Sequence, residues 1–230
     1  MIIGSGLIAN GFSDYLSRKD IVIFASGVSN SASVNEKDYK REENLLRNTL
    51  FRNKSKILVY FSTCSIYDIS VNGSAYVKHK IKMEKIVKNH SNSFYIFRLP
   101  QVVGKTTSPT LVNFLFLSII NNDDLKINKK SIRNLIDITD VFIIVNYLMT
   151  KKMYINEITN IASPYNISVL KIILLIEKIL KKDAKYELVD GGGGQPINID
   201  KIKVIAKEKR LFLDGYTSSL LNDFYKYRIL

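Results

Sequence analysis

Met1-Ile2-Ile3-Gly4-Ser5-Gly6-Leu7-Ile8-Ala9 stands at the head of the sequence, and its reading decides the fold. A short apolar strand candidate runs straight into Gly-x-Gly-x-x-Ala, a match to the dinucleotide fingerprint G-x-G-x-x-G/A. Gly4 allows a tight turn, Gly6 lets backbone approach a pyrophosphate, and the small Ala9 lets helix and strand pack closely. The free amides at the following helix start would face the phosphates. The same residues also suit a plain strand-to-helix turn, and the motif alone leaves both readings open.

Outward from this stretch, strands and helices alternate. Leu7 to Leu16 reads as a helix, and Asp20 to Ala25 as a strand buried on both faces, with a small-residue exit from Ser26 to Ser31. Glu36 to Arg52 reads as a polar-faced helix, Lys56 to Phe61 as a second buried strand, Ser74 to Asn89 as a helix, and Ser93 to Leu99 as a strand ended by Pro100. Such alternation predicts an α/β fold with a parallel sheet covered on both sides. The second half is less regular. Helices are expected over Thr110 to Asn121, Thr139 to Thr150, Ser168 to Leu180 and Tyr216 to Tyr227, with short strands at Ile158 to Ala162 and Lys185 to Val189. Gly191 to Gly194 reads either as a flexible connector or as a close backbone approach to a ligand. The expected division is a shortened dinucleotide-binding domain, 1–105, and a mostly helical substrate lobe, 106–230, with segments returning to the sheet.

The 230 residues suffice for one sizeable core, and 46% hydrophobic with 24% charged residues is ordinary globular usage, which excludes a disordered or coiled-coil chain. The single cysteine, Cys64, excludes an internal disulfide. No apolar run is long enough to span a membrane, and the N-terminus lacks a signal peptide's charged start, so a soluble cytoplasmic protein is expected. The net charge of +13 suits an anionic partner, but the lysines are scattered as on a solvated surface, without a block of like charge. Nucleic-acid binding would rest on charge alone, since no aromatic residues interleave the basic ones in an RNA-binding pattern. His79 and His90 have no companions at metal-ligand spacing, so no metal site is expected.

Tyr76-x-x-x-Lys80 puts a phenol and an ammonium on one helix face. That face continues through Met83 and Val87, so Lys80 lies in an apolar stripe, while Lys78, Lys82 and Lys85 line a different, solvated face. A lysine in such a stripe either snorkels or meets a compensating partner. Beside a tyrosine it favours the phenolate, giving a proton donor and acceptor usable near neutral pH. The strand Lys56 to Phe61 ends in Ser62-Thr63-Cys64-Ser65-Ile66-Tyr67, placing hydroxyls at the carboxyl end of a parallel strand, where doubly wound sheets bind ligands.

Glycine loop, strand-end hydroxyls and Y-x-x-x-K in that order resemble an extended short-chain dehydrogenase/reductase of the NAD-dependent nucleotide-sugar epimerase/dehydratase type. Phe61 to Tyr67 resembles the family segment ending valine-tyrosine-glycine, with Thr63 at its Ser/Thr position. Ser74 to Lys80 resembles the start of the Tyr/Lys helix, and Phe97 to Gly104 the arginine-leucine-proline segment beside the nicotinamide. Ile132 to Asp140 resembles the segment whose arginine holds a substrate diphosphate. There are departures. The family carries two more strand-helix units after the glycine loop, whereas here Ile21 begins 15 residues after Gly6. The Thr63–Tyr76 loop is about half the family's length, and Asp68 stands where the family prefers glycine.

The resemblance implies a truncated Rossmann-like doubly wound sheet with a small C-terminal substrate lobe, and an enzyme using NAD or NADP. Its implied substrate is a nucleotide-activated sugar, reduced, epimerised or dehydrated, in bacterial surface polysaccharide synthesis. Thr63, Tyr76 and Lys80 would be catalytic. Gly4, Gly6, Leu7, Ile8, Ala9, Ala25, Ser26, Gly27, Lys80, Pro100 and Val102 would bind the cofactor. Ser29, Asn30, Cys64, Gln101 and Arg133 would bind substrate. Pairing of two copies through helices is a further family trait, so a homodimer is implied. A non-catalytic binder of cofactor or nucleotide sugar is the alternative. Cys64 could equally be a small core residue, and Tyr67 and Tyr165 packing residues.

Overall fold

The computed structural model describes residues 1–28, 31, 35–108 and 110–226. The chain begins with β1 (Ile2–Ile3), α1 (Leu7–Gly11), β2 (Ile21–Phe24), α2 (Glu36–Arg52), β3 (Ile57–Thr63), α3 (Ala75–His90), β4 (Phe94–Leu99) and β5 (Gln101–Val103). It continues through α4 (Leu111–Asn121), β6 (Asp124–Asn128), β7 (Ile132–Asp137), α5 (Ile138–Thr150), β8 (Ile158–Asn160), β9 (Asn166–Ser168), α6 (Val169–Leu180), β10 (Lys185–Val189), α7 (Lys203–Glu208) and α8 (Tyr216–Lys226). The main sheet runs β1-β2-β3-β4-β8, all parallel, with β1 at one edge. This is the expected shortened Rossmann-like sheet.

Its strands alternate between two apolar layers, as a period of two requires. Val22, Phe24, Leu58, Tyr60, Phe94 and Ile96 pack under α2 and α3 with Leu46, Leu50, Met83 and Val87. Ile21, Ile23, Val59, Phe61, Tyr95 and Phe97 pack on the opposite side with Phe12 and the α5 residues Ile144, Val145 and Leu148. Leu46 is fully buried, so Leu46→Ala would cost about 2–5 kcal/mol. A third core holds the later helices: Leu115, Phe116 and Ile119 of α4 meet Ile172, Ile173 and Ile176 of α6 and Leu221 of α8.

Caps set the helices that matter to the site. The Asn35 side chain accepts from Lys37 N at the start of α2, and Ser74 Oγ from Val77 N at the start of α3. The helix expected over Leu7 to Leu16 is shorter: α1 stops at Gly11, and a 3₁₀ turn follows over Ser13–Tyr15. Two features accompany that end. A Cβ at Gly11 would come within 2.5 Å of Ile138 on α5, and Phe12 turns into the core instead of continuing the helix. The strand expected over Ile158 to Ala162 ends at Asn160. In the second half, β7 pairs with β5 in parallel and β9 in antiparallel, and β6 pairs with β10.

Candidate functional site

The carboxyl ends of β1, β2, β3 and β4 open on one cleft of about 670 Å³, within the range of small-molecule sites. Gly6, Leu7, Ile8, Ala25, Ser26, Gly27, Pro100 and Val102 line it, together with Thr63, Tyr76 and Lys80. Gly4 has φ +129°, and a Cβ there would stand 2.4 Å from Ala25 O, so glycine is needed where the first two loops meet. Gly6 is different: a Cβ would meet nothing, so its open side belongs to the cleft. Ala9 does not line the cavity and is buried in the helix packing. Ser29 and Asn30 lie outside the described residues.

Thr63 closes β3 and caps the 3₁₀ turn Cys64–Tyr67. Its Oγ1 accepts from Ser65 N at 3.0 Å and lies 3.0 Å from Ser65 Oγ, a hydroxyl pair in which either member can donate, so the Thr63 proton can turn toward the cleft. Tyr76 lies half-buried in the first turn of α3, with its ring centroid 6.0 Å from Lys80 Nζ. Lys80 is 3% exposed, and it has a partner: its ammonium donates to Glu42 Oε1 at 3.0 Å and to Tyr60 OH at 3.1 Å. Burial alone would push the Glu42 carboxyl up. Lys80, His79 and the Val28 N–H outweigh that and hold it down at about 2. Burial and the same carboxylate push the Tyr60 phenol well above its ordinary value.

Sequence reading passed over Glu42, because a glutamate on a polar-faced helix looks solvated. The available signal is spacing. Glu42, Leu46 and Thr49 lie at i, i+4 and i+7, and all three are buried. Arg41, also unremarked, stands on the cleft rim and donates to Ser26 Oγ and Ser26 O, both at 3.2 Å.

A smaller hollow of about 150 Å³ shares Ser65, Tyr76, Pro100, Gln101 and Arg133 with the cleft and adds Cys64, Tyr67, Asp68 and Gln195. Arg133 Nη1 donates to Ile132 O at 2.7 Å and Gly193 O at 3.1 Å, and lies 3.6 Å from Asp68 Oδ2. One arm of the guanidinium is therefore held by protein while the residue walls both cavities. Asp68 also accepts from Ser70 N and Ser70 Oγ, at 3.0 and 2.6 Å. The glycine run makes a close backbone approach, but to the start of β7. Ile132 N donates to Gly193 O at 2.9 Å, and Cβ atoms at Gly192 and Gly194 would stand 2.4 Å from Ser131 Oγ and 2.5 Å from Ile132 O.

Other candidates have structural partners. Cys64 is buried with its thiol on Arg98 O, and it also lines the smaller hollow. Tyr67 OH accepts from Arg98 Nη1 at 2.8 Å and donates to Asn160 Oδ1 at 3.0 Å. Arg98 in turn forks onto Glu84 at 2.9 and 2.7 Å. Tyr165 OH donates to Phe212 O. Among the described residues no cluster of His, Cys, Asp or Glu could hold a metal, and no helix is long and apolar enough to cross a membrane.

Against known structures, this architecture aligns over most of its length. UDP-glucuronic acid 4-epimerase from Bacillus cereus, in complex with UDP-glucuronic acid and NAD, matches 90% of this chain and 74% of its own, with TM-score 0.71 and 22% identity. dTDP-glucose 4,6-dehydratase from Bacillus anthracis str. Ames, in complex with NAD, matches 91% and 72%, with TM-score 0.71 and 15% identity. The fold is that of these nucleotide-sugar enzymes. A dTDP-4-dehydrorhamnose reductase from Clostridium acetobutylicum ATCC 824 matches 94% and 84%, with TM-score 0.69 and 15% identity. No protein-family model and no curated protein matches the chain.

Proposed function

We propose that the protein is an NAD(P)-dependent member of the nucleotide-sugar epimerase/dehydratase family, acting by reduction, epimerisation or dehydration of a nucleotide-activated sugar. One observation carries the reading: Thr63, Tyr76 and Lys80 line the same cleft as the Gly4–Gly6 bend. The likeness in fold to enzymes crystallised with NAD and UDP-sugars supports it.

The residues present fit the nicotinamide end of a dinucleotide. Gly6 leaves an open side where a diphosphate would pass, and the cleft floor offers a buried ammonium beside a phenol. When bound, the nicotinamide supplies hydride transfer. Tyr76 would give or take the proton of the sugar oxygen, and Thr63 would hydrogen-bond that oxygen as negative charge develops. Lys80 would hold the nicotinamide ribose, with Gly4, Gly6, Leu7, Ile8 and the Ala25–Gly27 wall around the rest, and Ala9 would serve from beneath by letting the helix start pack close. Arg133, Gln101 and Cys64, on the wall of the smaller hollow, would receive the substrate. Ser29 and Asn30 belong to the same proposal. The division into a cofactor part, 1–105, and a substrate part, 106–230, a homodimer, a cytoplasmic place and a role in surface polysaccharide synthesis extend it.

The test is Tyr76→Phe, assayed with NAD(H) and NADP(H) against a panel of UDP- and dTDP-sugars. Turnover should fall by about 10²-fold or more with cofactor affinity kept. An unchanged rate removes the mechanism. Cofactor binding without turnover on any sugar of the panel selects the non-catalytic alternative.

A further inference from the structure

Beneath the proposed reaction centre lies a carboxylate with four partners. Glu42 is fully buried. Its Oε1 accepts from Lys80 Nζ at 3.0 Å and from Tyr60 OH at 2.8 Å. Its Oε2 accepts from Val28 N at 2.7 Å and lies 3.1 Å from His79 Nε2. These partners come from β3, from α3 and from the loop leaving β2. That loop rests directly on the ion pair. A Cβ at Gly27 would stand 2.6 Å from Lys80 Nζ and 3.2 Å from Glu42 Oε1. Among the described residues, two of the three ammonium N–H groups of Lys80 go to Glu42 and Tyr60, leaving one donor over.

Stability is a poor reason for such an arrangement. Apolar residues of similar volume commonly replace a buried ion pair with no loss. The geometry instead joins two walls of the cleft. One carboxylate fixes the ammonium of α3 with one oxygen and the main chain of the β2 loop with the other.

We propose that Glu42 is a positioning residue for the cofactor site. It sets Lys80 and the Ala25–Val28 wall against each other, so that Lys80 meets the nicotinamide ribose while the wall meets the rest of the same bound cofactor. The inference rests on the functional reading above and deepens it.

The experiment compares wild type, Glu42→Gln, Glu42→Asp and Leu50→Ala. Leu50 lies in the core on the same helix, away from the cleft, and its truncation reports a purely structural loss. NADH and NADPH affinities are read by nicotinamide fluorescence, and the Val28 and Ile23 amides by hydrogen exchange without cofactor. Glu42→Gln should weaken cofactor binding tenfold or more and accelerate exchange at Val28 at least tenfold while Ile23 holds. Glu42→Asp should recover part of the affinity, and Leu50→Ala should lower Tm with affinity kept. The inference is overturned if Glu42→Gln binds within twofold of wild type, or if it only loses Tm as Leu50→Ala does. Should Glu42→Gln fail to fold, Glu42→Asp carries the comparison: weaker binding supports the inference, and unchanged binding overturns it. Wild type that binds neither cofactor at millimolar concentration overturns the functional reading and this inference together. Wild type that binds, beside a Glu42 variant that is unaffected, overturns this inference alone.

Discussion

Gly27 lies over Lys80 so closely that a Cβ there would stand 2.6 Å from the ammonium nitrogen. Lysine ends are usually free to move aside, but this one is held by Glu42 and Tyr60. Gly27→Ala should therefore cost about 1–3 kcal/mol, as overpacking does, and weaken NADH binding too. Gly6→Ala is the contrast. With φ −84° and open space around the new methyl, it should leave unfolding within about 0.5 kcal/mol of wild type while still lowering cofactor affinity. Urea melts and fluorescence titrations of both variants separate the two outcomes. Equal behaviour in both assays would count against the placement of Lys80.

Removing the ammonium leaves a buried carboxylate without its counter-charge. Lys80→Met should cost about 3–5 kcal/mol in urea unfolding. Lys78→Met, on the exposed face of the same helix, should stay within about 0.5 kcal/mol. Adding Glu42→Gln to Lys80→Met should restore part of the loss. A Lys80→Met chain as stable as wild type would contradict the burial of the pair.

Acid should find the same pair. The Glu42 carboxyl is held at about 2 in the folded chain against an ordinary value of 4.5. A depressed carboxyl stabilises fully above its unfolded value, and that contribution is lost as pH falls from about 4.5 to about 2, where the unfolded state binds the extra proton. Asp20, held at about 2 by its hydrogen bond to Arg18, titrates over the same range at the surface. The readout is therefore the difference between wild type and Glu42→Gln. The wild-type stability curve should fall more steeply with acid over this window, and parallel curves would contradict the assignment.

Burial pushes the Cys64 thiol up to about 12. Almost no thiolate exists at pH 8, so Ellman's reagent should label the native chain far more slowly than the urea-unfolded one. Rapid native labelling would show that the hollow beside Cys64 admits reagent and base.

The central strands β2, β3 and β4 were legible because each is a short run apolar on both faces between small-residue or polar segments. The helix of Tyr76 and Lys80 was legible from Met83 and Val87 along its stripe. Glu42 was not, since its reason for burial sits on another helix 38 positions away in sequence. The early end of α1 was hidden likewise, because Phe12 leaves the helix for a core whose other members lie far along the chain. β6 and β7 escaped notice because polar residues interrupt their short apolar runs. The glycine run was ambiguous until its hydrogen bonds to Lys130 and Ile132 were known.

Those last bonds have an evolutionary corollary. One side of the smaller hollow is laced by main chain, Gly193 to Ile132 and Gly191 to Lys130, so the outline of that side owes little to the side chains that furnish it. Gln195, which follows that frame, can be exchanged while the main chain beside it keeps its course, so variation there would alter the hollow's chemistry before its shape.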